Sequence, residues 1–265
     1  MLFRFMQNTS NTLQSCRFAT LYGQMLCKVL LVFCALSCVG HPADDEDDII
    51  DDGGTTVVTD AAPGIVFDFT ATWCVNCPRM TAAIEEASAE APGQLYPVCI
   101  HFHDALASTQ TEAIATYYGI ESYPSAVVNL ESSTLMTATS KDLIVARLKS
   151  TAEGRTAPCS IGLEYYDGKL SVTVTPESAG NYSLAVLVLE DGIVAPQTGG
   201  SDSYIHDNVL RKVLSASVLG DDLGAVGAGT PVTRDFMTEL SSSMHALAYV
   251  LDAKGKLNAT CHLTL

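Results

Sequence analysis

Two cysteines separated by two residues, Cys74 and Cys77, are the side chains whose type and spacing most favour chemistry in this sequence. This spacing lets the two sulfurs meet across the first turn of a helix. Cys74 would then lie where free N–H groups and the helix dipole favour a thiolate, the form of cysteine that attacks disulfides. Cys77, one turn further along, would resolve the mixed disulfide. The pair therefore predicts thiol–disulfide exchange.

Other interpretations of the pair stay open. A structural zinc site needs four ligands, and the sequence contains no second CxxC. A purely structural disulfide also fits, because secreted proteins oxidise spare cysteines. His101 and His103 alternate along a predicted strand and would share one face, so they are secondary candidates for holding copper with the two sulfurs. The sequence predicts no resident metal and no cofactor.

Two residues next to the pair have predicted supporting roles. Asp68 interrupts the apolar strand sequence VFDF six residues before Cys74, where an unpaired charge is costly. Its position suits a buried proton acceptor for Cys77. Trp73 would supply an apolar lip beside the reactive sulfur.

A proline begins another predicted strand close to the cysteines. The Tyr123-Pro124 step opens this strand, and an X–Pro bond there can be cis. Pro78 follows the pair directly, in the first helical turn, where proline is tolerated. Both prolines would therefore lie close to the cysteine pair.

The elements that position these residues follow the order βαβαββα over residues 61–155. Strands are predicted for GIVFDFT and LYPVCIHFH, and helices for CPRMTAAIEEASAE and for STQTEAIATYYG, which ends at Gly119. A hairpin around Glu131-Ser132 and a helix that starts after Ser140 complete the unit. Alternation of strands and helices predicts a parallel sheet covered by helices, with an antiparallel hairpin at one edge.

Residues 156–265 predict an all-β, immunoglobulin-like sandwich. Short β-rich runs are separated by turn residues, and Asp167-Gly168 is a strong hairpin signal. Cys159 and Cys261 stand near the two ends of this unit and are predicted to form a structural disulfide. His206 and His245 have carboxylate and serine neighbours, but nothing in the sequence gives them the geometry of a catalytic triad.

The sequence FDFTATWCVNCP, followed about 47 residues later by YPSAVV, resembles the thioredoxin superfamily. The resemblance implies that Cys74 and Cys77 are the redox pair, Pro124 the cis-proline and Asp68 the buried acid. This sequence departs from the usual pattern at three places. Val-Asn replaces Gly-Pro between the cysteines, Pro78 replaces a basic residue, and Tyr123 is bulkier than usual. The resemblance implies that Tyr123 and Pro78 line the substrate groove, so these departures bear on that groove and on the redox potential.

A narrower resemblance covers almost the whole mature chain. FTATWCVNCPRM in a lipoprotein, together with LAVLVLEDGIVAPQ, HDNVLR and a closing strand, is similar to the thioredoxin-like outer-membrane lipoprotein family of Bacteroidetes, the twenty-eight-kilodalton outer-membrane protein family. The resemblance implies a thioredoxin-like domain followed by a β-sandwich, in a lipid-anchored protein of the bacterial outer membrane that faces the periplasm or the cell surface.

Residues 1–37 have the pattern of a lipoprotein signal. Lys28 precedes an apolar run of about a dozen residues, too short to span a bilayer, which takes about 20. Ala35-Leu36-Ser37-Cys38 resembles a lipobox, which predicts lipid attachment at Cys38; Met25 is an alternative start to Met1. Residues 38–60 are predicted to be a tether, with seven carboxylates between positions 44 and 52 that resemble the surface-export signal of Bacteroidetes lipoproteins.

Composition narrows the function classes. The formal net charge is −16, with 14 Lys and Arg against 30 Asp and Glu, which argues against binding of nucleic acid. The sequence therefore predicts a membrane-anchored, extracytoplasmic thiol–disulfide oxidoreductase whose partners are protein thiols, protein disulfides or a redox partner. The alternative is a surface-displayed binding lipoprotein in which the sandwich recognises a partner and the CxxC is structural or vestigial.

Overall fold

A computed structural model describes residues 54–59, 63–137, 140–152 and 158–265. The predicted signal segment 1–37 and the lipidated Cys38 lie outside these residues. Residues 50–265 belong to one compact unit, which contains both of the predicted folded parts. In the part of the chain that the structure describes, no helix combines the length and the apolar character needed to cross a membrane.

The first half contains the predicted βαβαββα order, preceded by one more strand. Its elements are β1 (Thr55–Thr59), β2 (Gly64–Thr70), α1 (Cys77–Glu90), β3 (Leu95–His101), α2 (Thr109–Tyr117), β4 (Ser125–Val128), β5 (Met136–Thr137) and α3 (Lys141–Ala152), with a short 3₁₀ helix, Ser132–Thr134, before β5.

Local sequence explains where the helices begin and end. Pro78 occupies the first turn of α1, where its missing N–H costs nothing. Ser108 caps α2 by accepting the N–H of Thr111, whose hydroxyl in turn accepts the N–H of Ser108. Gly119 follows α2 with a φ of +63°, a conformation that glycine adopts without strain. The first two helices therefore start at signals that the sequence carries.

The second half consists of strands. They are β6 (Cys159–Tyr166), β7 (Lys169–Pro176), β8 (Gly180–Glu190), β9 (Ile193–Ala195), β10 (Tyr204–His206), β11 (Val209–Val213), β12 (Asp221–Val226), β13 (Val232–Met237), β14 (Met244–Asp252) and β15 (Leu257–Thr264). Asp167 and Gly168 form the tight turn between β6 and β7, both with positive φ, as the hairpin signal predicted.

One sheet of the sandwich has the strand order β1-β6-β7-β13. Residues 55–59, which the sequence analysis assigned to the tether, form its edge strand, paired antiparallel with β6. Their sequence TTVVT is rich in β-branched residues, and Val57 packs against the sandwich core. The structured part of the chain therefore begins before the predicted start of the first domain.

The other sheet runs through both halves. Within the described residues it has nine strands, ordered β15-β14-β8-β11-β3-β2-β4-β5, with β12 also paired to β8. The two halves join where β11 pairs parallel to β3, and the N–H of Cys99 donates to the carbonyl of Asn208 at 2.8 Å. The thioredoxin-like sheet and the sandwich are thus continuous through backbone hydrogen bonds.

Strands β8 and β14 are buried on both faces because they serve two cores. The side chains on one face of each pack into the sandwich, and those on the other face belong to the same core as the phenylalanines of β2. Double burial explains the unbroken apolar runs LAVLVL and ALAYVL. The core that both halves share includes Phe67, Phe69, Tyr118, Leu187, Leu247 and Tyr249. A separate core lies between the first-half sheet and helices α1 and α3.

The structure corrects the predicted disulfide of the sandwich. Cys159 and Cys261 are buried free thiols in the same core. Cys261 lies next to Val57 and Leu163, and Leu163 is four residues further along β6 than Cys159, about 13 Å at the rise of a strand. Bridged cysteines have Cα atoms within about 7 Å of each other. Cys99 is a buried thiol, as predicted.

The shared core predicts that both halves unfold in one transition. Fluorescence of Trp73, the single tryptophan, reports on the first half, and alkylation of the buried Cys159 and Cys261 thiols reports on the second. The hydroxyl of buried Tyr249 donates to the carbonyl of Val218 at 2.6 Å. Tyr249→Phe should therefore lower the free energy of unfolding by about 1–3 kcal/mol and shift both urea midpoints together. Separate midpoints for the two probes would contradict the shared core.

Candidate active site

The two cysteines form a disulfide at the start of α1. Their Cα atoms are 5.4 Å apart. Cys74 precedes the helix and is 5% exposed, whereas Cys77 is its first residue and is 1% exposed. The order of exposure agrees with the predicted roles, in which Cys74 is the outer cysteine and Cys77 the inner one. Residues 71–77 are called the cysteine loop below.

The residues predicted to line the groove lie against this loop. The Tyr123-Pro124 peptide bond is cis, as predicted, and Pro124 is buried. The ring of Tyr123 packs on the small cluster that Ala71, Cys74 and Cys77 form. Pro78 is partly exposed, one residue beyond the pair.

A row of aromatic rings extends from the cysteine loop across the surface. Trp73, 49% exposed, meets the ring of Tyr123 edge-on, and its Nε1–H donates to the carbonyl of Phe102 at 3.2 Å. Phe102 stacks on Tyr123 with ring centres 5.2 Å apart, and His103 stacks on the other side of Phe102. Trp73 is thus the apolar lip that the sequence predicted, and of the rings that continue the row only Phe102 was not singled out in the sequence.

Asp68 lies on β2, between β3 and β4, and is 1% exposed. Burial raises the pKa of its carboxyl from 3.8 to about 7; the hydrogen bond from Thr81 lowers it, and the charge of Glu85 raises it further. The Thr81 hydroxyl lies 2.9 Å from Oδ2 of Asp68 and 3.4 Å from the carbonyl of Cys77. Asp68 is therefore linked to the inner cysteine and can gain or lose a proton near neutral pH.

The two histidines near the end of β3 do not share a face. His101 is buried, and its Nδ1 lies 2.7 Å from Oδ2 of Asp104. His103 follows the strand with a φ of +49°, which turns its side chain out to solvent. The expectation that they alternate along one strand was wrong because β3 ends at His101. No group of three or more His, Cys, Asp or Glu side chains among the described residues is placed to hold a metal ion.

Asp104 fixes the loop from the other side. Burial would raise the pKa of its carboxyl, but the hydrogen bond and charge of His101, with backbone N–H groups of Thr72 and Leu106, lower it. Oδ2 accepts the N–H of Thr72 at 2.7 Å. His101 and Asp104 thus hold the backbone that leads into the cysteine loop.

A segment of the second half covers the cysteine loop. The side-chain amide of Gln197 donates to the carbonyls of Ala71 at 3.2 Å and Cys74 at 3.0 Å. The N–H of Thr198 donates to the carbonyl of Thr72 at 2.8 Å. Gly199 has a φ of +81°, and a Cβ there would clash with the carbonyl of Val75. We call residues 197–200, which lie between β9 and β10, the covering segment.

Sequence reasoning missed the covering segment and Asp104. Gln197 and Cys74 are 123 positions apart, so no local spacing connects them. In the sequence, the run that ends in VAPQ carries only a family resemblance and no sign of its contact with the cysteines. Asp104 stands three residues after His101, a spacing that could have suggested a carboxylate–histidine pair.

Comparisons with known proteins agree with this geometry. The family described as outer membrane protein Omp28 matches residues 111–261, more than half of the chain. The chain belongs to the Omp28 family. A thioredoxin domain matches residues 54–150. Membership of Omp28 indicates the outer membrane as the location of this chain, and no curated protein matches its sequence.

Solved structures share the fold of this Omp28 member at low sequence identity. HBP35 of Porphyromonas gingivalis is 20% identical with a TM-score of 0.63, over 77% of this chain and 75% of that one. A protein from Agrobacterium tumefaciens is 15% identical with a TM-score of 0.55, over 78% of this chain and 96% of that one. Both similarities concern the fold, a thioredoxin-like domain followed by a β-sandwich.

The raised pKa of Asp68 makes the stability of this Omp28 member depend on pH. Between pH 3.8 and about 7 the folded state retains a proton that the unfolded state loses, so stability from this group falls as pH rises through that window. Asp68→Asn removes the titration. The variant should gain stability over wild type between pH 4 and 8, on the order of 4 kcal/mol at most. Urea unfolding at both pH values measures the difference, and a difference independent of pH would contradict the assignment.

Proposed function

We propose that the chain is an extracytoplasmic thiol–disulfide oxidoreductase. The observation that carries the proposal is the arrangement of Cys74 and Cys77 at the start of α1. The Tyr123 ring of the cis Tyr123-Pro124 step packs on the pair, and the Thr81 hydroxyl connects the Cys77 backbone with the buried Asp68. A structural disulfide needs neither a buried carboxyl with a pKa near neutrality nor a helix N-terminus. Thiol exchange uses both.

The exchange follows from the roles of the three groups. In the reducing direction the Cys74 thiolate attacks one sulfur of a substrate disulfide and expels the other as a thiolate. The Cys77 thiol gives its proton to the Asp68 carboxylate, and the resulting thiolate attacks Cys74. This second attack releases the first substrate sulfur and leaves the Cys74–Cys77 disulfide. Two electrons pass to the substrate, whose two sulfurs leave as thiolates and take their protons from solvent.

Protein thiols and disulfides are the proposed substrates. An extended segment that lies along Pro124 would bring its cysteine to Cys74, and the exposed row of Trp73, Tyr123 and Phe102 offers aromatic surface to the neighbouring residues. Lipid at Cys38 and the acidic tether behind it would hold this site at the membrane. The negative charge of the chain gives no support for a nucleic-acid partner.

A second candidate is a surface-displayed binding lipoprotein with a structural or vestigial CxxC. One observation favours it: Cys74 is only 5% exposed, and the covering segment hydrogen-bonds the loop that carries it. In this case the sandwich would recognise the partner, and the disulfide would stay closed.

Single cysteine variants separate the two candidates. Cys77→Ser leaves Cys74 free to attack but removes the group that resolves the product, so it should accumulate mixed disulfides with envelope proteins. Cys74→Ser should form few. Non-reducing gels of cells quenched with acid and alkylated measure these adducts, and mass spectrometry identifies their partners.

Cys261→Ala is the matched control, because Cys261 is a buried free thiol in the sandwich core. It should leave the adduct pattern of wild type unchanged. Equal adduct levels in Cys74→Ser and Cys77→Ser would remove the oxidoreductase proposal and leave the binding protein.

A further inference from the structure

A small cavity with several polar lining residues lies between α1, the end of β3 and the β9–β10 hairpin of the second half. Its volume is about 10 Å³, on the scale of one water molecule. Thr81 and Pro78 line it from α1, Cys99 and His101 from β3, and His206 from β10. Asp207, which is exposed, also lines it, so the cavity connects buried groups with the surface.

Asp68 adjoins this cavity from the side of the sheet. It pairs in register with Cys99, so the two side chains point to the same face, and it accepts the hydroxyl of Thr81. Both neighbours line the cavity. The other carboxyl oxygen, Oδ1, is buried without a hydrogen-bond partner among the described residues. Asp68 therefore lies next to the lining residues Thr81 and Cys99, with one carboxyl oxygen that no described group satisfies.

His206 borders the cavity from the second half. It is 6% exposed, and its ring centre lies 5.2 Å from that of His101 and 4.8 Å from that of Tyr204. Its Nε2 is buried and has no hydrogen-bond partner in the described parts of the chain. Two buried polar atoms without partners thus adjoin one cavity, and unpaired buried polar groups in native proteins call for a functional explanation.

We propose that a water molecule in this cavity carries the proton between Asp68 and Nε2 of His206, so that a histidine of the second half completes the proton path of the cysteine pair. The proposal rests on the thiol–disulfide exchange proposed above. His206 touches neither sulfur nor substrate and acts only through Asp68.

The proton balance assigns each transfer. When Cys77 becomes a thiolate, Asp68 takes its proton. Asp68 then gives that proton to the water, which passes one of its own to Nε2 of His206, and the imidazolium loses a proton to solvent past Asp207. In the oxidising direction the same protons travel inward. No electrons move along this path, because the electron pairs stay with the sulfurs.

The ionisable groups around His206 suit a base that is neutral at rest. Burial lowers the pKa of His206, and the positive charge of His101 lowers it further, whereas the backbone of Ala195 and the carboxylates of Asp104 and Asp207 raise it. The groups that face it are His101 and Cys99 from β3, Asp104 beyond that strand, and Tyr204 and Asp207 from its own segment. An unprotonated Nε2 can accept the proton that Asp68 releases.

The experiment follows the two steps separately in the full chain. The reduced pair reacts with dithiobis(nitrobenzoate), which releases one coloured thiolate when Cys74 attacks and a second when Cys77 resolves the mixed disulfide. We expect His206→Gln to leave the first step unchanged and to slow the second at least about tenfold near pH 7. His206→Ala should show the same loss, and added imidazole should restore its rate but not that of His206→Gln, whose side chain fills the space.

His245→Gln is the matched control, since His245 is another buried histidine of the second half and does not line the cavity. It should match wild type at every pH. Equal second-step rates in wild type and His206→Gln would overturn the proton path and leave the oxidoreductase proposal intact. Equal slowing of both steps without imidazole rescue would assign His206 a merely structural role. A wild-type pair that does not react with the reagent would instead overturn the proposed function.

Discussion

The parallel pairing of β11 with β3 is the contact on which the rest of the structure depends. Through the hydrogen bond from Cys99 to Asn208 it makes one sheet out of two halves. Strands β9 and β10 directly precede β11, so this pairing also brings the covering segment and His206 to the back of the cysteine loop. A flexible linker between two independent domains would give neither contact. The second half is therefore part of the candidate site.

Burial limits access to Cys74 but prepares Asp68 for proton transfer. It leaves Cys74 and its loop restrained by hydrogen bonds from Gln197, which limits access to the sulfur. It also raises the pKa of Asp68 to about 7, where a carboxyl can exchange protons under physiological conditions. The hydrogen bonds from Gln197 to the cysteine loop and from Thr81 to Asp68 hold the groups of the site in fixed positions, and they leave little of the cysteine pair open to solvent. The row of aromatic rings that begins at the exposed Trp73 is the part of the site that a partner protein can reach.

The sequence predicted the elements well where local signals are strong. The CxxC, the proline in the first turn of α1, the start of α3 after Ser140 and the Asp167-Gly168 turn each depend on signals within a few residues. Pairings across the chain could not be predicted, because no periodicity links Gln197 to Cys74 or β11 to β3. The same limit explains the wrong prediction of a disulfide between Cys159 and Cys261. Both cysteines belong to one core, but which residue of β6 lies beside Cys261 on β15 depends on tertiary packing.

The central claim is that the Cys74–Cys77 pair exchanges with thiols in the intact chain. Its most direct test is the reduction potential of the pair, measured from its equilibrium with glutathione buffers in the full chain. The account predicts a value between about −270 and −120 mV, the range of thiol–disulfide oxidoreductases. A value below about −300 mV, where structural disulfides of secreted proteins lie, would contradict it.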